Sequence, residues 1–342
     1  MSKQRFFASD NCSGVHPQIM QAIANTNEHY AFGYGEDEIT AQALSCFKQH
    51  FGEEAEAFIT LTGTGSNILA LESLLHPWEG VICNEFAHIN EHECGALQKI
   101  TGSRLIVIPE HNGKIRIDDI KPLLFTKDDE HVVLPKVIYI TQSTELGTVY
   151  THDEIKALVE FAHANDMYVH LDGARLCNAA ASLGCSLKAL TTDLNIDTVS
   201  FGGSKNGMMC GESVIVFNKQ LKQKLRYIRK QDMQLISKMR YLSAQFIEFF
   251  NNDLWLSNAT QANNMAAYLA EQLKTFDFAQ ILYPVDANMI FVKMPKALLQ
   301  ELLKHTLFYL VDAEEETSRF VTSFDTTKED VDTLINLIKQ FS

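Results

Sequence analysis

No stretch of this 342-residue chain reaches the ~18 continuous apolar residues of a membrane-crossing helix. The opening residues, MSKQRFFASDNCSGV, also lack the apolar core of a secretory leader. No C-x-x-C pair occurs. The seven cysteines are odd in number and irregularly spaced, which argues against a disulfide framework or a zinc ribbon. Reduced, mostly buried thiols in a cytoplasmic protein without a structural metal are the expectation. Positive charge is also scarce: 29 Lys and Arg stand against 43 Asp and Glu, a formal net charge of −14. That balance argues against nucleic acid as a partner, because phosphates need a basic footprint. It argues equally against an anionic membrane surface. A local basic pocket for a small anion is untouched by net charge. No internal repeat or low-complexity segment is visible.

What is present is an ordinary globular composition, 46% hydrophobic and 21% charged. The length suits about two domains. An extended arm is predicted over residues 1–15, a large domain over 16–250 and a smaller α+β domain over 251–342. Helical spacing covers His16 to about Glu28 and Glu38 to Phe51, separated by the glycine-broken run Phe32-Gly33-Tyr34-Gly35. Short apolar strands then alternate with helices: Ala57–Leu61, Val81–Cys83, Leu105–Ile108, Lys136–Ile140, Tyr168–Leu171, Ile196–Phe201 and Val214–Phe217. Thr151 and Glu154 form an S/T-x-x-E capping box ahead of the apolar stripe Ile155, Leu158, Val159 and Ala162. The pattern predicts βαβ units and a mostly parallel sheet with helices on both faces, so ligands belong at the carboxyl ends of its strands. Lys219 to about Phe250 is predicted to be long and helical. Ser257–Leu273 and Thr327 to about Lys339 are predicted helices, with strands at Met289–Lys293, Leu307–Leu310 and Phe320–Ser323.

Three strand ends carry chemistry. Thr62-Gly63-Thr64-Gly65-Ser66-Asn67 follows a strand and opens a helix, where free N–H groups and small side chains admit an anion. The dinucleotide fingerprint fails at Ile68 and no G-K-S/T follows, so a single phosphate fits better than a nucleotide. In His170-Leu171-Asp172-Gly173-Ala174-Arg175, Asp172 can hold a cation or a protonated ring nitrogen. Arg175 can fork onto a carboxylate or phosphate, or make an internal Asp–Arg pair that fixes the loop. In Ser204-Lys205-Asn206-Gly207, Lys205 is either a solvated turn lysine or the amine that forms a Schiff base with a carbonyl cofactor. A phosphate cradle, a ring-nitrogen carboxylate and a Schiff-base lysine are together what pyridoxal 5'-phosphate needs.

With Tyr34-Gly35-Glu36-Asp37 and Ala87-His88, these runs resemble the low-specificity L-threonine aldolases, of the β-eliminating lyase group of fold-type-I pyridoxal-phosphate enzymes. The resemblance runs from Ser9-Asp10-Asn11 to Arg319-Phe320-Val321-Thr322. It implies cleavage of L-threonine or L-allo-threonine to glycine and acetaldehyde. It implies Lys205 as the Schiff-base residue, Asp172 at the pyridine nitrogen and His88 stacked on the ring near the substrate β-hydroxyl. Gly63, Thr64, Gly65 and Ser66 would hold the phosphate. Ser9, Arg175 and Arg319 would hold the substrate carboxylate. Arg229 resembles an arginine that reaches the phosphate of a neighbouring subunit, and Tyr34 reaches across likewise, so a homo-oligomer, dimer or tetramer, is implied. Many relatives carry Glu-Asn-Thr-His after the central strand; here the run is Gln142-Ser143-Thr144-Glu145, so Glu145 takes the place of that histidine. The β-hydroxyl base is then His88, Glu145 or a water between them. The alternatives are another fold-type-I activity, such as a β-eliminating amino-acid lyase or an aminotransferase, and a non-catalytic protein that kept the fold.

Overall fold

Seven of the apolar runs pair into one sheet in the computed structural model, which describes residues 5–126, 129–312 and 316–342. The strands are β1 (Glu56–Thr60), β2 (Glu79–Asn84), β3 (Arg104–Ile108), β4 (Leu134–Thr141), β5 (Tyr168–Gly173), β6 (Thr198–Gly202) and β7 (Glu212–Val216). Their order across the sheet is β1-β7-β6-β5-β4-β2-β3. β3, β2, β4, β5 and β6 run parallel, and β7 runs antiparallel to both of its neighbours. The central strands read as nearly continuous apolar runs because helices cover both faces, and their residues are almost all buried. In register, Thr141, Asp172 and Ser200 lie side by side on β4, β5 and β6. They share one face at the carboxyl end of the sheet.

The helix Gly63–Leu74 packs on that face. It begins at Gly63, because Thr62 serves as N-cap and accepts a hydrogen bond from the Gly65 N–H. The capping box forms as expected, with Thr151 heading the helix His152–Ala164. The predicted continuous helix over 219–250 does not form. It is two helices, Lys219–Gln231 and Arg240–Phe250, joined by an irregular segment in which Met233 takes a left-handed conformation.

The second sheet is wholly antiparallel: β8 (Gln280–Ile281), β9 (Met289–Lys293), β10 (Tyr309–Asp312) and β11 (Thr317–Val321), in the order β10-β11-β9-β8. The last two strands are displaced from the expected spans at 307–310 and 320–323. Both sheets have their own core. The helix Leu254–Leu273 serves both, with Trp255 and Ala259 in the larger and Ala266 and Leu269 in the smaller. The arm is anchored in the smaller core: Phe7 packs edge-on to Phe320, its N–H donates to Leu307, and its carbonyl accepts from Val321. That anchoring delivers Ser9 and Asp10 to the strand ends of the large sheet.

Candidate active site

Asp172 lies at the end of β5, buried, and its hydrogen-bond partners come from three places. Tyr139 Oη, from β4, donates to Oδ2, and Asn67 Nδ2, from the helix Gly63–Leu74, donates to the same oxygen at 2.8 Å. The Ala174 N–H donates to Oδ1 at 3.0 Å. Burial pushes the Asp172 pKa up, but the Tyr139 hydrogen bond, the charges of His88 and Lys205 and the Asn67 hydrogen bond outweigh it. The result is a carboxylate held below its usual range. Asn67 is itself fixed, because its Oδ1 takes a hydrogen bond with His170 Nε2 at 3.1 Å. Burial drives His170 down to about 4, so it is a neutral spacer under Asp172.

The same Asn67 amide also donates to Glu93 Oε1 at 2.8 Å, and that oxygen meets His88 Nδ1 at 2.9 Å. His88 heads the short helix His88–Glu91 just after β2. Its pKa is raised, first by the Glu93 hydrogen bond, against the opposing effect of burial. With Nδ1 engaged, Nε2 is the ring atom left for a substrate. The ligand atoms of His88, Glu93 and Asp172 lie within 4.8 Å of one another, but hydrogen bonds from Asn67, Tyr139 and His88 already engage these carboxylates. Glu145 follows β4 and is no solvated loop carboxylate. Its Oε1 accepts from the His88 N–H at 2.8 Å and from Thr141 Oγ1 at 2.7 Å, and its Oε2 is buried without a partner. Burial lifts its pKa to about 6.

Lys205 sits on the turn Ser204–Asn206 after β6. Its pKa is lowered by burial and by Arg175, with Asp10, Asp172 and Glu212 opposing. An amine close enough to feel the charges of both Asp172 and Arg175 is no solvated turn lysine. Glu212, across from Gly202 in the β6–β7 register, lies directly over that glycine, where any Cβ would collide with its carboxylate.

Arg175 does make an internal pair, but with Asp10 of the arm rather than Asp172. Nε and Nη2 fork onto the two Asp10 oxygens at 2.7 and 2.8 Å. Burial raises the Asp10 pKa, yet the Arg175 charge and hydrogen bond overcome it and hold the carboxyl low. Asn288 Nδ2 donates to the same carboxylate at 3.1 Å. Arg319 lies close enough to Arg175 for its own pKa to fall, mainly by burial and then by that repulsion. Its Nη2 donates to the Ala8 carbonyl, its Nε is buried without a partner, and Tyr309 lies under its guanidinium. Ser9 is beside them, with its Oγ accepting from the Asn11 N–H. Two arginines against one aspartate leave positive charge at this end of the site, with an orphaned donor that a carboxylate would satisfy.

At the helix start, Gly63 opens onto space: a Cβ there would meet nothing within 4 Å. Ser66 faces the other way. It is fully buried, its hydroxyl bonds Thr60 Oγ1 at 2.6 Å, and its N–H goes to the Thr62 carbonyl. The open edge therefore belongs to Gly63 and Thr64. Arg229 is occupied within its own chain, donating to the Ile59 carbonyl and lying over Phe58. Burial lowers its pKa to about 10. Tyr34 is exposed, held by its N–H to the Ser237 carbonyl, with Lys230 over its ring. It stands with Tyr227 and Arg229 around a cavity of about 320 Å³.

The structure thus brings together Lys205, Asp172, His88, Glu145, Arg175, Arg319 and Ser9. Sequence reasoning gave no role to Asp10, Asn67, Tyr139, Glu93 or Glu212. Two of these had a signal, since Asp10 follows Ser9 and Asn67 closes the glycine-rich run. The residues fit pyridoxal phosphate: an ionised buried carboxylate for a ring N–H, a lysine of lowered pKa, and an open glycine cradle at a helix start.

A family model described as Beta-eliminating lyase matches residues 7–297. A low specificity L-threonine aldolase of Pseudomonas aeruginosa is 37% identical over 326 residues, covering 95% of this chain and 94% of that protein. The solved structure of a Leishmania major threonine aldolase matches with a TM-score of 0.92 at 30% identity, covering 98% of each chain. An alanine–glyoxylate aminotransferase from Nostoc sp. matches with a TM-score of 0.71 at 14% identity, over 100% of this chain and 96% of that one, a likeness of fold alone.

Proposed function

From its membership in the β-eliminating lyase family, we propose that this chain is a pyridoxal-phosphate-dependent aldolase that cleaves L-threonine and L-allo-threonine to glycine and acetaldehyde. The observation that carries the reading is the half-buried Lys205 amine, close enough to Asp172, Asp10 and Arg175 for their charges to act on it, beside the Arg175–Asp10 pair. The cofactor, when bound, supplies a carbonyl for the substrate amine and an electron sink for Cα–Cβ cleavage. Lys205 would hold its carbonyl carbon, Asp172 its ring nitrogen, His88 its ring face, and Gly63, Thr64 and Gly65 its phosphate.

Arg175 and Arg319, with Ser9, bind the substrate carboxylate. Asp10 keeps Arg175 in place by its two-pronged bond. Fixing the carboxylate there decides which substituent of Cα faces His88 and Glu145. The β-hydroxyl proton then goes to Glu145 Oε2, the buried oxygen without a partner, or to His88 Nε2. Lys205 Nζ, its pKa lowered, can carry a proton to and from Cα.

The reading includes a homo-oligomer and a cytoplasmic setting. Phe32 and Met233 are 79% and 82% exposed and lie on two segments joined by the Tyr34–Ser237 hydrogen bond, with Tyr30, Tyr34 and Tyr227 exposed around them. An exposed aromatic patch of this kind supports a second copy as its cover. The seven cysteines are all unpaired, which supports a reducing compartment. No helix among the described residues is long and apolar enough to cross a membrane.

The test is aldehyde and glycine release from L-threonine and L-allo-threonine with pyridoxal phosphate present. Release is expected from both, and none from Lys205→Ala. Pyruvate from serine, or amino transfer to a keto acid, with no aldehyde from either isomer, would move the chemistry to a sister activity.

A further inference from the structure

The irregular segment between Lys219–Gln231 and Arg240–Phe250 reaches back to the start of the helix Gly63–Leu74. There the Leu61 N–H donates to Gln234 Oε1 at 3.1 Å. The carboxamide lies flat against Gly65: an added Cβ would sit 2.4 Å from both its Cδ and its Nε2, closer than any real contact. The backbone around it is tied down, since the Gln234 N–H donates to the Arg229 carbonyl at 3.0 Å and the Ser237 carbonyl accepts from Tyr34 at 2.9 Å. Glycine at position 65 is thus demanded by a side chain from 169 residues further along, not by backbone conformation.

We infer that Gln234 is a fourth element of the phosphate cup, beside Gly63, Thr64 and Gly65. Its Oε1 is anchored on Leu61, and its Nε2 donates to the anionic oxygens of a phosphate monoester. An amide is suited to this place. Fixing the oxygen on a backbone donor fixes the plane of the group, so two N–H donors stay beside the helix start without added charge. The helix end itself favours an anion through its free N–H groups. The inference rests on the reading that the cofactor's phosphate lies at this helix start.

The experiment compares the apoprotein of the full chain with Gln234→Glu, Gln234→Leu and Gly65→Ala. Each is titrated with pyridoxal phosphate and with pyridoxal, which lacks the phosphate. The wild-type chain is expected to bind pyridoxal phosphate much more tightly. Gln234→Glu, which replaces the donor with a negative charge, is expected to raise the pyridoxal phosphate Kd about tenfold or more, the scale of a hydrogen bond to a charged group. Its Kd for pyridoxal stays at the wild-type value, which also reports that the variant is folded. Gln234→Leu and Gly65→Ala follow in the same direction, the latter by expelling the carboxamide. An unchanged pyridoxal phosphate Kd in Gln234→Glu, or equal weakening toward both ligands, overturns the role of Gln234. Wild-type protein that binds the two ligands alike would remove the phosphate cup itself, and Gln234's role with it.

Discussion

Glu145 shows how much one side chain can change at an otherwise familiar strand end. Burial lifts its pKa to about 6, while His88 and Thr141 hold one oxygen and leave the other free. As a base it works only when ionised. Activity that depends on it should rise with pH through about 6, and Glu145→Gln should lose that acid limb along with roughly a hundredfold or more of kcat. The check is a pH profile of kcat and kcat/KM; a limb that survives the substitution assigns the proton to His88 Nε2. The sign for stability is opposite. A carboxyl whose folded pKa is raised stabilises the chain below its ordinary range, and this contribution is lost as pH rises through about 6. Glu145→Gln should therefore melt above the wild type on the alkaline side of that value. Lys205 and Asp172 were legible from sequence because each ends an apolar strand in an alternating chain. Asp10 and Glu93 were not, because a carboxylate's partner is chosen by folding: Asp10 finds Arg175 across 165 residues.

At the scale of elements, the arm matters more than its extended sequence announces. Phe7 is 2% exposed, wedged against Phe320, and its backbone joins the smaller sheet. Phe7→Ala should cost about 3–5 kcal/mol, the range for deleting a buried aromatic ring. Urea unfolding would measure it. Ser9 and Asp10 follow directly, so the same variant should raise KM for substrate more than it lowers kcat. A stability loss with KM unchanged would mean that the arm only packs. The break between Gln231 and Arg240 was hidden for a different reason. No proline or glycine marks it, and the residues have good helical spacing. Tertiary bonds override that preference, Gln234 to Leu61 and Ser237 to Tyr34. The start at Gly63 has a local cause, since Thr62 caps the helix.

For the whole molecule, the exposed aromatic patch gives the clearest prediction. The segments 30–34 and 227–233 carry Tyr30, Phe32, Tyr227 and Met233 into solvent on a single chain. A double substitution, Phe32→Ser with Met233→Ser, should shift the protein toward a monomer in sedimentation velocity at micromolar concentration. It should lower activity in step with the monomer fraction if Tyr34 serves a partner's site. Full activity in a monomeric variant would confine the site to one chain.

The alternation of strands and helices, the capping box at Thr151 and the three strand-end motifs follow from local rules: side-chain period, cap chemistry and backbone freedom. Those rules act within a few residues, so the sequence alone determined the fold class, the sheet edge where the candidate site lies, and the lysine, aspartate and glycines proposed for a carbonyl cofactor with a phosphate. Tertiary structure alone decided the partners: Asp10 for Arg175, Asn67 bridging Asp172 and Glu93, Glu93 on His88, Glu145 against the His88 backbone, Gln234 over Gly65. All but the His88–Glu93 bond join segments distant in the sequence, and a buried polar group settles on whatever donor or acceptor the packing leaves within reach.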